Sequence, residues 1–70
     1  MKSKTYYFVG IGGIGMSAIA RYLKQIGNNI LGYDRTPTAL TEELVAEGMD
    51  IKYEDDPSHI ASRHIDMVIY

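Results

Sequence analysis

Phe8-Val9-Gly10-Ile11-Gly12-Gly13-Ile14-Gly15-Met16-Ser17 is the stretch on which the reading of this chain turns. The residues leading into it, Thr5-Tyr6-Tyr7-Phe8-Val9, are β-branched and aromatic, which suits a strand. Behind it apolar residues recur at helical spacing. Gly10, Gly12 and Gly15 fit the pattern G-x-G-x-x-G, and Gly13 is extra to it. A glycine loop between a strand and a helix leaves backbone N–H groups bare, and the positive end of the helix dipole faces any anion that arrives. In such loops Gly10 lets the chain turn tightly, Gly12 clears room for a pyrophosphate, and Gly15 lets the helix lie close to the sheet. Gly13 keeps the loop open, and Ser17, in the first helical turn, offers a hydroxyl to a phosphate oxygen. The plainer alternative is a tight strand-to-helix connection and nothing more.

Working outward, Ile14, Ala18, Ile19, Tyr22, Leu23 and Ile26 recur at offsets of three and four, which predicts one buried helical face over Ile14 to Ile26. Gly27 stops that helix. Ile30 to Tyr33 reads as a second strand, with Asp34 at its carboxyl end. An acidic residue there bonds a ribose hydroxyl in dinucleotide-binding folds, or else simply forms a turn. Arg35 reads equally as a phosphate or base contact and as a solvated arginine. Thr36-Pro37-Thr38 is expected to open a second helix, threonine capping it and proline sitting in its first turn. Leu40, Leu44 and Val45 are its expected buried face, and Gly48 its stop. Ile51 to Tyr53 is a short third strand, a loop with one helical turn after Pro57 follows, and Met67 to Tyr70 is a fourth strand. The order β-α-β-α-β-(α)-β implies an α/β fold with a parallel sheet between helical layers. Right-handed crossovers then favour the strand order 3-2-1-4, with the glycine loop at the switch point.

Composition narrows the function. With 70 residues the chain holds one small domain. The 46% apolar and 23% charged content is that of a globular protein, and there is no cysteine for a disulfide or thiolate site. A net charge of −2 without a basic stripe gives no support for nucleic-acid binding. No apolar run approaches the ~20 residues that span a bilayer, and Met1-Lys2-Ser3-Lys4 makes a poor signal peptide, so a cytoplasmic location is expected. His59 and His64 are expected at the surface, and Glu54-Asp55-Asp56 as a solvated loop. No catalytic residue and no metal site is expected. The chain stops at Tyr70 inside an apolar run and reads as the amino-terminal part of something longer, with exposed apolar residues around its fourth strand.

The string from Phe8 to Ser17 resembles the amino-terminal motif of the Mur ligase family, the amino-acid-adding enzymes of peptidoglycan synthesis. Gly32-Tyr33-Asp34 resembles the family's Gly-x-Asp at the end of strand two. Thr41-Glu42-Glu43-Leu44, Glu47-Gly48 and Ile51 resemble its second helix, its stop and its third strand. Two positions depart: Glu54-Asp55 stands where many members carry Gly-His, and Arg35 where several carry an uncharged residue. The resemblance implies a Rossmann-like three-layer domain spanning residues 1–70 that holds the UDP part of the substrate UDP-N-acetylmuramate. It implies that Gly10, Gly12, Gly13, Ile14, Gly15, Met16 and Ser17 cradle the diphosphate, with Asp34 and Arg35 at the uridine. ATP and magnesium would belong to a central domain, and the incoming amino acid to a third. An NAD-binding domain of a dehydrogenase and a nucleotide-sensing regulatory domain are the alternatives, since both use the same glycine pattern.

Overall fold

A computed structural model of the chain describes residues 3–61 and 63–70. Met1 and Lys2, and Ser62 of the expected loop, lie outside the described residues. Seven elements follow one another: β1 (Thr5–Val9), α1 (Ile14–Gln25), β2 (Asn29–Tyr33), α2 (Ala39–Ala46), β3 (Asp50–Lys52), α3 (Ser58–Ala61) and β4 (Met67–Ile69). The four strands form one parallel sheet in the order β3-β2-β1-β4. This is the expected order. It arises because two right-handed crossovers carry the chain from β1 out to β3, and a third returns it to the far side of β1.

The register assigns the two faces of the sheet. Tyr6 pairs with Ile30 and Met67, and Phe8 with Gly32 and Ile69, while Gly32 also pairs with Ile51. Alternation therefore sends Tyr6, Phe8, Ile30, Gly32, Ile51 and Ile69 to one face. There they meet Ile11, Met16, Ala20, Leu23, Leu44 and Met49 in a single apolar cluster under α1 and α2. Arg21 of α1 clamps Glu47 at the end of α2, with Nε 3.0 Å from Oε1 and Nη2 2.7 Å from Oε2. This pairing holds the Glu47 carboxyl below its usual range.

The other face carries Tyr7, Leu31 and Asp50 and is covered by α3. His59 is buried there, contrary to the surface position expected for it. Its ring meets Tyr7 edge-on at 6.0 Å, and its Nε2 lies 3.2 Å from Asp50 Oδ2 at an angle that makes no hydrogen bond. Arg63 Nη2 takes the same carboxylate oxygen at 2.8 Å. The burial has a simple cause: α3 is one short turn, and His59 is the side chain it turns toward the sheet. Burial raises the pKa of Tyr7 above its ordinary value, and the charge of Asp55 adds to that. His64 is exposed, as expected, and pairs with Asp66.

Helix packing departs from the periodicity at several points. In α1 the buried residues are Ser17 and Ala20, with Met16 and Leu23 packed against the core. Ile14 is 87% exposed, and Ile19, Tyr22 and Ile26 are exposed as well. The arc of Met16, Ser17, Ala20 and Leu23 faces the sheet, so of the expected face Leu23 alone is shown packed against the core. Spacing alone cannot choose between two arcs of similar hydrophobicity. The helix ends at Gln25, with Ile26 as its cap and Gly27 beyond at φ +97°. In α2 the cap is Thr38, so Pro37 lies outside the helix instead of in its first turn. Thr41 and Leu44 are its buried residues, and Val45 is exposed. On β4, Met67 and Val68 are exposed, as is Tyr70 beyond it.

Candidate functional site

The segment between β1 and α1 is tied down from four directions. Gly10 turns the chain with φ +80°, a conformation that side chains other than glycine rarely adopt. The N–H groups of Gly10 and Ile11 both donate to the Tyr33 carbonyl, at 2.7 and 3.1 Å. The Ile11 side chain drops into the core and is fully buried. It rests on Gly32, where a Cβ would come within 2.6 Å of Ile11 Cδ1. The Gly12 N–H donates to Asp34 Oδ2 at 2.8 Å, and the Gly13 N–H to the Gly10 carbonyl at 3.1 Å.

Beyond Gly13 the backbone is open. Gly13 is the cap residue of α1, with extended backbone and no side-chain hydrogen bond to the helix start. The next N–H groups, those of Ile14, Gly15 and Met16, belong to the first turn and have no intrahelical acceptor. The first intrahelical bond is that of the Ser17 N–H to the Gly13 carbonyl at 2.8 Å. No acidic side chain lies in this first turn. Ile14 and Gly15 are exposed, and Met16 is half-buried against the core. Three unpartnered donors at the positive end of a twelve-residue helix form a place where an anion is stabilised.

The expected site residues divide in their placement. Gly10, Gly12, Gly13, Ile14, Gly15 and Met16 line one continuous turn into α1. Ser17 is buried, and its hydroxyl donates to the Ile14 carbonyl at 3.0 Å. Gly15 does not serve close packing of helix on sheet, because a Cβ there would meet nothing within 4 Å. The close approach is at Gly12 instead, where a Cβ would come within 2.7 Å of Asp34 Oδ2 and 2.9 Å of Thr41 Cγ2. Asp34 stands at the tip of β2 beside the loop. Its Oδ2 holds the Gly12 N–H and its Oδ1 accepts the Thr36 N–H at 3.1 Å. Each carboxylate oxygen keeps a further lone pair for a ligand hydroxyl or N–H. Arg35 is exposed and its side chain makes no hydrogen bond or ion pair among the described residues.

Three residues were given no part in this site by the sequence reading, although Gly32 and Thr41 lie in the stretches that carry the family resemblance. Ile11 and Gly32 form an apolar peg and socket beneath the loop. Thr41 presses on Gly12 from α2. The one signal that pointed to Thr41 is the spacing Thr38-x-x-Thr41, a variant of the capping box. The acidic run behaves as a solvated loop, with Glu54, Asp55 and Asp56 exposed. Asp56 accepts the Ser58 N–H and O–H at 3.0 and 2.7 Å, which starts α3 and lowers its pKa. Among the described residues no three His, Cys, Asp or Glu side chains are grouped to hold a metal ion. No helix among them is long and apolar enough to cross a membrane. An open cleft of about 350 Å³ runs past Lys52, Tyr53 and Glu54 at the carboxyl end of β3. A larger one, about 460 Å³, lies by Thr5, Asn29 and Asp50 at the opposite end of the strands, away from the glycine loop.

Comparison with known proteins places this geometry in context. A family model described as "Mur ligase family, catalytic domain" matches residues 5–70. The UDP-N-acetylmuramate–L-alanine ligase of Flavobacterium johnsoniae is 57% identical over 58 residues, covering 83% of this chain and 13% of that protein. The enzyme of the same name from Flavobacterium psychrophilum is 62% identical over 50 residues, covering 71% of this chain and 11% of that protein. The one from Phocaeicola vulgatus is 46% identical over 71 residues, covering 96% of this chain and 16% of that protein. The chain thus spans less than a fifth of the length of these relatives.

Proposed function

The chain belongs to the Mur ligase family, and on that premise we propose that it is the amino-terminal substrate-binding part of a UDP-N-acetylmuramate–L-alanine ligase. The observation that carries the proposal is the open start of α1. The free N–H groups of Ile14, Gly15 and Met16 point out of a helix with no acidic residue in its first turn. In this reading they bind the diphosphate of UDP-N-acetylmuramate. Gly10, Gly12 and Gly13 shape the loop that presents them. Ser17 joins them if its hydroxyl turns from the Ile14 carbonyl toward a phosphate oxygen. Asp34, with Arg35 beside it, meets the uridine through the carboxylate lone pairs not used by Gly12 and Thr36.

In this reading ATP and magnesium belong to the remainder of a longer ligase. There they would activate the muramyl carboxylate as an acyl phosphate for attack by the alanine amine. The contribution of this chain is to hold and orient the nucleotide sugar, in the cytoplasm, against the remaining domains. By itself it binds without ligating.

Calorimetric titration of the chain with UDP-N-acetylmuramate, UDP and NADH in parallel tests this. Binding of both uridine compounds, with little heat from NADH, is the expected result. Tight NADH binding with no response to either uridine compound would overturn the proposal in favour of a dehydrogenase-type cofactor domain.

A further inference from the structure

Gly12 is commonly explained by the ligand: a side chain there would block a pyrophosphate. The geometry here gives a different reason. The space a side chain would fill at position 12 is already occupied by two groups of the protein, Asp34 Oδ2 and Thr41 Cγ2. Asp34 binds the loop by a hydrogen bond. Thr41 fills the other side of that space with a methyl group, and that methyl is aimed by the bonds of its own hydroxyl.

Thr41 is polar and fully buried. A hydroxyl has one proton to donate and two lone pairs to accept with. The Thr41 hydroxyl uses all three. It donates to the Thr38 carbonyl at 3.0 Å, and accepts the Thr38 N–H at 2.8 Å and the Tyr53 O–H at 3.1 Å. With the hydroxyl held from both sides, the remaining branch of the side chain has one direction left, and it points at Gly12. Tyr53 stands just after β3, so this contact joins three elements. The end of β3 holds the Thr41 hydroxyl, the start of α2 carries the side chain, and its methyl supports the glycine loop.

From this we infer that Thr41 is a positioning residue for the anion-binding loop, its methyl serving as the floor under Gly12 and Tyr53 acting through it. The inference rests on the nucleotide-binding reading for its functional consequence, though the contact itself does not. A loop without its floor is free to sink toward α2, taking the N–H groups of Ile14, Gly15 and Met16 away from the position they share.

The experiment has two independent arms on the same chain. The first is a double-mutant cycle in thermal stability between Gly12→Ala and Thr41→Ser. Serine keeps the hydroxyl and deletes the methyl, so the added Cβ at position 12 loses one of its two clashes. The Tm loss from Gly12→Ala is expected to shrink by about 4 °C or more in the Thr41→Ser background. The second arm is UDP affinity. Thr41→Ser should weaken UDP binding on the order of fivefold. It should also move the amide resonances of Gly12 to Met16 while those of β2 and β3 stay in place. Thr41→Val, which restores a methyl without the bonds that aim it, should lower Tm further than Thr41→Ser while weakening UDP binding no more than Thr41→Ser does. A merely structural threonine would show the reverse order, with affinity following Tm. Additive stability effects, with UDP affinity unchanged in Thr41→Ser, would overturn the inference. A parent chain that ignores UDP sinks the nucleotide reading alone, and the cycle then decides the floor contact.

Discussion

The starts of α1 and α2 present the same physical problem and resolve it in opposite ways. Each leaves its first N–H groups without intrahelical acceptors. At α2 the protein supplies its own partners. Thr38 Oγ1 accepts the Thr41 N–H at 3.1 Å, Thr41 Oγ1 accepts the Thr38 N–H, and Glu42 adds a negative charge in the first turn. At α1 the cap is glycine, no side chain reaches the N–H groups, and no acid lies in the turn. One end is closed by its own sequence and the other is left for something from outside. A missing side-chain cap costs about 1 kcal/mol relative to serine, threonine or aspartate in sensitive hosts, and less when glycine replaces them. The chain accepts that cost at one helix and avoids it at the next, and the proposed binding role of the α1 start would account for the difference.

The contrast can be broken or sharpened by substitution. The largest effect is expected from opening the closed end. Thr38→Ala removes the reciprocal cap and should lower stability by about 1–2 kcal/mol in urea unfolding. Because the hydrogen bonds of Thr38 go to Thr41 and Glu42 and none to the loop, UDP affinity should fall far less than stability. An equal loss of both would erase the distinction between the two helix starts.

A smaller effect of opposite sign is expected from closing the open end. Gly13 has φ −67° and ψ 149°, which any residue adopts, and a Cβ there meets only ordinary contacts, the nearest being the Gly10 carbonyl oxygen at 3.5 Å. Gly13→Asp should place a carboxylate over the free N–H groups and stabilise the chain by roughly 0.5 kcal/mol. The same carboxylate occupies the anion position, so UDP binding should be lost while Tm rises. Gain of stability with binding intact would show that the ligand sits elsewhere.

The smallest effect concerns the third helix start. Asp56 caps α3 with its carboxylate, and the Ser58 hydroxyl and N–H bonds hold that carboxyl below the usual carboxylate range. A depressed folded pKa contributes stability above the unfolded value and loses it as pH falls through the folded one. The Tm of the chain should therefore decline on acidification below about pH 4. Asp56→Asn, which keeps an acceptor without a proton to gain, should flatten that part of the decline in a Tm series from pH 7 to pH 3. The start of α1 has no titrating cap and should contribute nothing to it.

Much of this was legible along the chain. Residues 5–9, followed by the glycine run, identified the first strand, the turn and the entry into α1. Gly27 and Gly48 marked helix ends, both at positive φ. The alternation of elements led to the parallel order. Asp34 was legible as a ribose contact or a turn former, and its bond to the Gly12 N–H was not legible at all. What failed to show was orientation. Ile14, Tyr22 and Ile26 looked like a core face and are exposed, while Ser17, expected to offer its hydroxyl to a phosphate, and Ala20, outside the expected face, are buried. His59 looked like a surface residue and lies against Tyr7. In each case the local pattern was compatible with two rotations of a short element, and a contact from a distant part of the chain selected one.

The sequence by itself determined the properties that depend on near neighbours. These are the strand and helix runs, the turn at Gly10, the helix stops, and the start of α1 left without a side-chain cap. They follow from backbone geometry and from donors and acceptors a few residues apart. The tertiary structure alone decided which arc of α1 meets the sheet, why position 12 must be glycine, and how Tyr53 and Thr41 reach the loop. Those outcomes require side chains from β2, α2 and the end of β3 to occupy the same few ångströms, and close packing leaves room there for only one arrangement.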